Sequence, residues 1–207
     1  MFNIIVPVSQ NHRFILKKSL RSIQKQMFED FFVVVIGDGF LPEGINDSRF
    51  SFFSTEEKEN FWGTSPRNDG LINIDKSRPY LCYLDADNEW LPNHLIECGK
   101  SMREYSSCCF GFYALDALGN VVSVNSTKKE LSRIDSSGLC FNLKEVGIEN
   151  IIWEKKYEHD FLLFDKISHE NRFLVSDKIT YIYNCNSGRT QVIDFCKLAY
   201  SNKDLNK

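Results

Sequence analysis

The sequence of 207 residues predicts a single α/β domain in which helices flank a mixed, mostly parallel sheet of Rossmann type. Apolar strands at 2–8, 31–37 and 80–84 are continuous rather than alternating, as expected for parallel strands that are covered on both faces. Helical patterns separate these strands, and strand–helix–strand order is typical of a parallel sheet. Ligands of such sheets bind beyond the carboxyl ends of the strands, so the residues that follow each strand are the candidates for function.

The first half of the chain supplies the clearest helix. Residues 13–27 place apolar side chains at spacings of four, three and four, which predicts one inward face of an amphipathic helix. That face consists of Leu16, Leu20, Ile23 and Met27. A short strand follows near 50–54, and 65–75 has a helical pattern that Gly70 weakens.

The second half has shorter elements. Pro92 begins a predicted helix that runs to about residue 104 and turns Leu95, Cys98 and Met102 inward. Two strands, 108–115 and 121–125, flank Leu118-Gly119-Asn120, which indicates a hairpin. The last predicted elements are a helix at 158–168 and strands at 173–175 and 179–184.

Composition excludes several classes of protein. The 25 basic residues are outnumbered by 28 acidic ones and form no basic block, so a nucleic-acid partner is not expected. No apolar run reaches transmembrane length, and the N-terminal apolar stretch is too short for a signal peptide. The 7 cysteines are scattered, without a C-x-x-C pair or metal-ligand spacing. Such an odd set of thiols suits a reducing compartment, and a cytoplasmic protein is predicted.

Two carboxylates follow the third strand in the segment Asp85-Ala86-Asp87. Neighbouring carboxylates repel each other unless a positive charge lies between them. Oxygen ligands suit Mg²⁺ or Mn²⁺, which commonly share a site with substrate phosphates, so the pair indicates a metal–diphosphate site. The alternative is an acidic turn in which Asp87 or Asn88 caps the next helix. The second strand also ends in a carboxylate, Asp38, between Gly37 and Gly39.

Other carboxylate and glycine motifs fit poorly. A calcium loop counted from Asp85 requires Gly and Glu where Trp90 and Ile96 stand. A dinucleotide motif beginning at Gly37 lacks its third glycine.

Four segments, in order over about residues 3–170, resemble one enzyme family. They read IIVPVSQNHRFILKKSLRSIQKQMFEDFFVVVIGDGF, GTSPRNDGL, YLDADNEWLPNHL and KYEHDFLLFDKI. They resemble the opening, the Ala-Arg-Asn-x-Gly segment, the metal-binding strand end and the Glu-Asp helix of family 2 glycosyltransferases. Those enzymes have the GT-A fold, use nucleotide sugars and invert the anomeric centre.

The resemblance implies a division of one GT-A-like domain into a nucleotide-sugar-binding half, 1–115, and an acceptor-side half, 116–207. It assigns the metal to Asp87 and Asp85, the role of catalytic base to Asp160 and the acceptor side to Asp135-Ser136-Ser137-Gly138. By the same resemblance, nucleotide-sugar binding falls to Pro7, Val8, Ser9, Asp38, Arg67, Asp85 and Ala86.

The implied activity is that of a hexosyltransferase. The sugar would move from a nucleoside diphosphate, as in a UDP-sugar such as UDP-glucose, to a hydroxyl of a glycan, a lipid-linked molecule or a protein. The cofactor would be Mn²⁺ or Mg²⁺.

Three departures from the family pattern keep an alternative open. Ser9 stands where the family often stacks the base on tyrosine, Gly37 replaces the first Asp of a pair, and His159 replaces the Glu before Asp160. A catalytically weak or inactive nucleotide-sugar-binding protein is therefore the second hypothesis. A nucleotidyltransferase is disfavoured because the loop after the first strand, 9–13, has no glycine.

Individual residues also have alternative roles. Asp38 could serve only its glycine turn. Arg67 could be half of a surface ion pair, Asp160 could pair with Lys156, and Glu158 could be the base instead.

Overall fold

A computed structural model describes residues 1–115, 120–125, 129–130 and 133–184. Within these residues nine strands form one sheet. The strands are β1 (Phe2–Val8), β2 (Phe31–Gly37), β3 (Phe50–Ser54), β4 (Tyr80–Tyr83), β5 (Glu89–Trp90), β6 (Ser107–Leu115), β7 (Val121–Asn125), β8 (Leu139–Asn142) and β9 (Phe173–Asn184). The helices are α1 (Leu16–Gln24), α2 (Thr64–Gly70), α3 (His94–Ser101), α4 (Leu143–Val146) and α5 (His159–Glu170).

The sheet is mixed, with strand order β3-β2-β1-β4-β8-β6-β9-β5 and with β7 paired to β6. Strands β1 to β4 are parallel to one another, as are β6 and β9. Strand β8 lies antiparallel between β4 and β6 and joins the two parallel groups. The predicted fold class is confirmed, and the sheet runs across the proposed division of the domain at residue 115.

Two apolar layers cover the sheet, because successive residues of a buried strand point to opposite faces. On one face Ile4 and Val6 pack with Leu20 of α1 and Leu95 of α3. On the other face Ile5 and Val34 pack with Trp153 and with Leu163 and Phe164 of α5. These layers hold the carboxyl ends of β1, β2 and β4 side by side.

The first two helices are shorter than predicted. Helix α1 ends at Gln24, and Met27, expected on its inward face, is 68% exposed, so that prediction is wrong. The side chain of Gln26 is buried instead and donates to the carbonyl of Leu91 at 2.8 Å. Helix α2 ends at Gly70, where a Cβ atom would lie 2.8 Å from Cγ2 of Ile5.

The later elements are mostly where the sequence places them. Helix α3 buries Leu95, Cys98 and Met102 as predicted, although it begins at His94 rather than at Pro92. The predicted strands of the hairpin pair antiparallel, while its turn at 116–119 lies outside the described residues.

Two late strands are a single element. Residues 173–175 and 179–184 belong to one strand, β9, which follows β6 through register shifts between Cys109 and Phe112. No helix in the described part of the chain is long and apolar enough to cross a membrane.

Candidate active site

A cavity of about 140 Å³ opens to solvent at the carboxyl ends of β1, β2 and β4. It is lined by Pro7, Ser9, His12, Asp38, Asn60, Trp62, Gly63, Arg67, Asp85, Ala86, Asp87 and Tyr183. The predicted site residues therefore meet at one place, except for Val8 and Asp160.

Val8 does not contribute its side chain to the cavity. That side chain is 1% exposed and packs in the apolar layer under α1. The predicted contact of Val8 with the nucleotide sugar therefore cannot be made by its side chain. Its carbonyl oxygen accepts a hydrogen bond from the amide of Asp38 at 2.9 Å. Val8 thus fixes the start of the turn that carries Asp38.

Arg67 is the buried cation of the site. It is 3% exposed, so the alternative of a surface ion pair is wrong. Its Nη2 donates to Oδ1 of Asp85 at 2.5 Å and to Oγ of Ser136 at 3.0 Å, and its Nη1 donates to the carbonyl of Trp62 at 2.7 Å. The guanidinium also lies over the ring of Trp153, with Cζ 4.5 Å from the ring centroid.

The charge of Arg67 is balanced by several carboxyl groups. Burial opposes its ionisation, but the carboxylates of Asp85 and Asp160 outweigh burial and raise its pKa. The carboxyl of Asp135 is also buried and accepts hydrogen bonds from the Tyr181 hydroxyl at 2.9 Å and the Ser137 amide at 3.0 Å. Burial and the charges of Asp85 and Asp160 raise the pKa of Asp135 well above its ordinary value.

The turn after β4 is held by the segment at 136–138, which forms a short 3-10 helix. The hydroxyl oxygen of Ser137 accepts from the amide of Asp85 at 3.2 Å and from Nδ2 of Asn88 at 2.8 Å. Asn93, rather than Asp87 or Asn88, precedes α3 as its N-cap residue. The helix-cap alternative is therefore wrong, and the serines predicted on the acceptor side lie against Asp85.

Asp87 and Asp85 differ in what surrounds their carboxylates. Both oxygens of Asp85 are engaged, Oδ1 by Arg67 and Oδ2 by Ser136 Oγ at 2.9 Å. Asp87 lines the cavity with its Oδ2 3.7 Å from Nε2 of His12. A divalent cation prefers carboxylate oxygens, so Asp87 fits as a metal ligand better than Asp85 does.

Among the buried polar atoms of lining residues that make no hydrogen bond within the described part of the chain, two belong to the loop after β1. They are Oγ of Ser9 and Nε2 of His12. Buried polar groups without partners are uncommon in folded proteins, and at a cavity they indicate atoms that meet a ligand. His12 was missed by the sequence reasoning, although its place in the loop after β1 could have indicated it.

Asp38 holds a neighbouring loop. Its Oδ1 accepts from the amide of Glu59 at 2.8 Å, and its Oδ2 accepts from the amide of Asn60 at 2.7 Å. The loop turns sharply there, since Asn60 and Trp62 have positive φ angles of 53° and 51°. Asp38 thereby fixes the wall of the cavity to which Asn60 and Trp62 belong.

Asp160 lies in the first turn of α5, beside the Arg67 network. Burial raises its pKa to about 7; the charge of Arg67 and an amide hydrogen bond from Ser136 oppose this rise, while Asp85 adds to it. The side chain is 26% exposed, so a bound molecule can reach it. The alternative partner Lys156 is paired with Glu154 instead, at 2.6 Å. The alternative base Glu158 is exposed to solvent.

His159 is a packed neighbour of this network. Its ring contacts Trp153 with centroids 5.6 Å apart, and its Nδ1 lies 2.9 Å from the carbonyl of Lys156. Burial and the charge of Arg67 lower its pKa to about 4, so the imidazole is neutral at neutral pH. It therefore adds no positive charge beside Arg67.

The fold is shared with solved glycosyltransferases. Staphylococcus aureus TarS in complex with UDP-GlcNAc superposes with a TM-score of 0.69 and 18% identity, over 88% of this chain and 58% of that one. A mannosyltransferase from Pyrobaculum calidifontis in complex with GDP-Man and Mn²⁺ superposes with a TM-score of 0.65 and 13% identity, over 100% and 64%. The fold is that of a GT-A-like glycosyltransferase.

Sequence similarity points in the same direction. The succinoglycan biosynthesis protein ExoW of Rhizobium meliloti (strain 1021) is 31% identical over 115 residues, which are 52% of this chain and 35% of ExoW. The chain thus spans about a third of the length of this curated relative. No family model matches the chain.

Carboxyl groups of two kinds lie in and near the cavity. One wall carries carboxylate oxygens at Asp87. Asp160 lies outside the lining, near Arg67, and burial raises the pKa of its carboxyl to about 7. A base works best when its pKa lies near the working pH, because it is then both deprotonated and able to accept a proton. The arrangement can position a ligand and remove a proton from it.

Proposed function

We propose that the protein is a metal-dependent, inverting hexosyltransferase that uses a nucleoside-diphosphate sugar, with a UDP-sugar as the preferred donor. The observation that carries the proposal is the single cavity at the strand ends that combines Asp38, Arg67 and Asp87. The complexes of TarS with UDP-GlcNAc and of the Pyrobaculum enzyme with GDP-Man support a sugar-nucleotide donor. The acceptor is a hydroxyl group, and a cytoplasmic location stays a prediction.

The donor would lie along the cavity with its nucleotide toward Asp38 and its diphosphate toward Asp87. Ser9 and His12 would contact this ligand through Oγ and Nε2, which make no hydrogen bond within the described residues. Trp62 lines the cavity beside Asn60 and would supply the aromatic contact that Ser9 cannot make. Arg67 would act indirectly, because its charge is already shared with Asp85 and Asp160.

The proposed reaction is one displacement at the anomeric carbon. The acceptor oxygen forms a bond to that carbon, and the bond from the carbon to the diphosphate oxygen breaks. Asp160 takes the proton of the acceptor hydroxyl, and the nucleoside diphosphate leaves with the electron pair of the broken bond. A single displacement inverts the anomeric configuration.

The residues present fit a divalent cation. Asp87 would hold it, with Asp85 beside it, and oxygen ligands suit Mn²⁺ or Mg²⁺. When bound, such a cation stabilises negative charge on a departing diphosphate. The Mn²⁺ in the complex of the Pyrobaculum enzyme supports this choice of cofactor.

The experiment is a donor screen followed by a matched pair of variants. The full chain is incubated with UDP-, GDP- and dTDP-sugars, with and without Mn²⁺, and release of the nucleoside diphosphate is measured. We expect release from a UDP-sugar that depends on Mn²⁺. Asp87→Asn should lower the Mn²⁺-dependent rate by at least about 100-fold, since it removes a charged metal ligand.

Glu89→Gln is the control, because Glu89 stands two residues later and pairs with Lys18 at 2.5 Å outside the cavity lining. It should leave release unchanged. Binding of UDP without release from any donor would support the second hypothesis, a nucleotide-sugar-binding protein. Absence of UDP binding in both conditions would contradict the proposal.

A further inference from the structure

Three cysteines converge in the core, away from the cavity. Cys82 of β4, Cys98 of α3 and Cys140 of β8 are each 0% exposed, and their sulfur atoms all lie within 4.8 Å of one another. Cys82 and Cys140 are paired directly across the two antiparallel strands, and helix α3 brings Cys98 over them. Spacing along the sequence gave no sign of this cluster because each cysteine comes from a different element.

His94 adds a nitrogen atom to the cluster. It stands one helical turn before Cys98, and its Nε2 lies 3.5 Å from that sulfur. Its Nδ1 lies 2.8 Å from the hydroxyl of Thr180, and the Trp90 ring stacks on it with centroids 4.2 Å apart. A histidine that ligates a metal commonly has its second ring nitrogen held by such a hydrogen bond.

The separations suit a tetrahedral site. With Zn–S near 2.3 Å and Zn–N near 2.0 Å, sulfur atoms lie about 3.8 Å apart and a nitrogen lies about 3.5 Å from a sulfur. The distance between His94 Nε2 and Cys98 Sγ already has the latter value. To complete the set, the sulfur atoms need to approach one another by about 1 Å at most, and the His94 imidazole needs to move toward Cys82 and Cys140.

We propose that Cys82, Cys98, Cys140 and His94 bind one Zn²⁺ ion as a structural site. Each thiol loses its proton to solvent as its sulfur–zinc bond forms, and no electron is transferred. Soft thiolates with one imidazole in a closed tetrahedral set are the ligands of structural zinc. The site would fasten α3 to the centre of the sheet, and it does not depend on the proposed transferase activity.

The zinc proposal competes with two other states of the same thiols. Buried cysteines can pack as small apolar side chains, and two of them can form a disulfide. Packing alone does not explain why sulfur atoms from three separate elements lie together, with the tethered His94 imidazole beside one of them. The reducing compartment expected from the sequence disfavours the disulfide.

The test measures metal in the purified full chain. Protein made in zinc-supplemented medium and dialysed is analysed by elemental mass spectrometry, and about one zinc per chain is expected. A strong chelator should remove the zinc and lower the melting temperature. Co²⁺ added to the chelated protein should give the charge-transfer absorption of thiolate–cobalt bonds.

A matched pair of variants localises the ion. Cys140→Ala should reduce bound zinc at least tenfold, whereas Cys109→Ala should retain it, because Cys109 is equally buried but belongs to the opposite apolar layer. The wild-type measurements do not depend on either variant folding. Protein without zinc and without a thiolate–cobalt band, or an intact mass showing a disulfide, would overturn the proposal.

Discussion

The charged cavity and the thiol cluster lie on either side of the end of β4, three residues apart in the chain. Asp85 follows the strand and faces an open cavity, whereas Cys82 lies within the strand and is sealed in the core. Behind the cavity lining, Asp135 and Asp160 have carboxyl groups with raised pKa values near the buried cation Arg67. The cluster, by contrast, consists of fully buried thiols.

This difference concerns what each region does to the free energy of folding. Groups poised to act on a ligand are desolvated before the ligand arrives, so they lower the stability of the fold. Groups that bind a structural ion add the binding free energy to that of folding. Neutralising the desolvated carboxyl of Asp160 should therefore raise stability, whereas removing a zinc ligand or the cation Arg67 should lower it.

The largest effect is expected for Asp160→Asn on sugar transfer. Asparagine keeps the shape of the side chain but cannot take the proton of the acceptor, so kcat should fall by about 10²- to 10⁴-fold. Steady-state kinetics with the donor found in the screen measures this. The control Glu158→Gln, at an exposed position, should retain activity. Activity that is retained in Asp160→Asn and lost in Glu158→Gln would show that Glu158 is the base instead.

Among substitutions of cavity residues, Arg67→Met should lower the free energy of unfolding the most. It removes the cation that three carboxyl groups share, and breaking a buried ion pair costs about 3–5 kcal/mol. Urea unfolding measures the loss. Arg49→Met is the matched control, since Arg49 pairs with Asp47 near the surface and such pairs contribute about 1 kcal/mol or less. Equal losses in both variants would show that Arg67 carries no buried charge network.

Stability and activity should change in opposite directions as pH rises. Asp160 has a folded-state pKa of about 7, and an unfolded aspartate has a pKa of about 3.9. Between these values the folded protein binds the extra proton, so stability is fully present below about pH 4 and falls as pH rises to about 7. Activity should rise over the same range as the base deprotonates.

Unfolding of the wild type and of Asp160→Asn across that range measures the effect. The variant should be more stable than the wild type by about 4 kcal/mol above pH 7 and should lose this advantage below pH 4. A constant difference between the two proteins at every pH would contradict the raised pKa.

The smallest effect is expected for Asp38→Asn on donor binding. The amide cannot accept hydrogen bonds at both of its polar atoms, so one backbone amide of Glu59 or Asn60 loses its partner. The resulting loosening of the cavity wall should weaken UDP binding about tenfold, or about 1.4 kcal/mol. Calorimetric titration measures it, with Asp47→Asn as the control outside the cavity lining. Unchanged UDP affinity in Asp38→Asn would show that the loop held by Asp38 does not contribute to donor binding.

The sequence predicted the cavity better than the cluster for a physical reason. Strand ends carry their functional residues within a few positions, so Asp38 and Asp85-Ala86-Asp87 were identifiable from local pattern. His12 was missed, and Ser136 was predicted only on the acceptor side, because their positions beside Asp87 and Asp85 depend on how distant segments pack. The thiol cluster depends on the register of β4 against β8, which no local pattern encodes.

The same limit applies to the fold and to the chemistry of single groups. The long apolar strands β1 and β2 were predicted at their observed bounds, whereas β8 has only four residues and no alternation. The raised pKa of Asp160 follows from burial beside Arg67 and Asp85, neither of which is near it in sequence.

The place of β8 also affects how the chain folds. Strands β1 to β4 lie within the first 83 residues and can pair as the chain emerges, but the outer edge of β4 has no partner until residues 139–142 exist. An unpaired strand edge can bind a second chain. A chain halted before residue 139 would therefore expose this edge, and self-association of such a nascent species is the hazard that β8 removes.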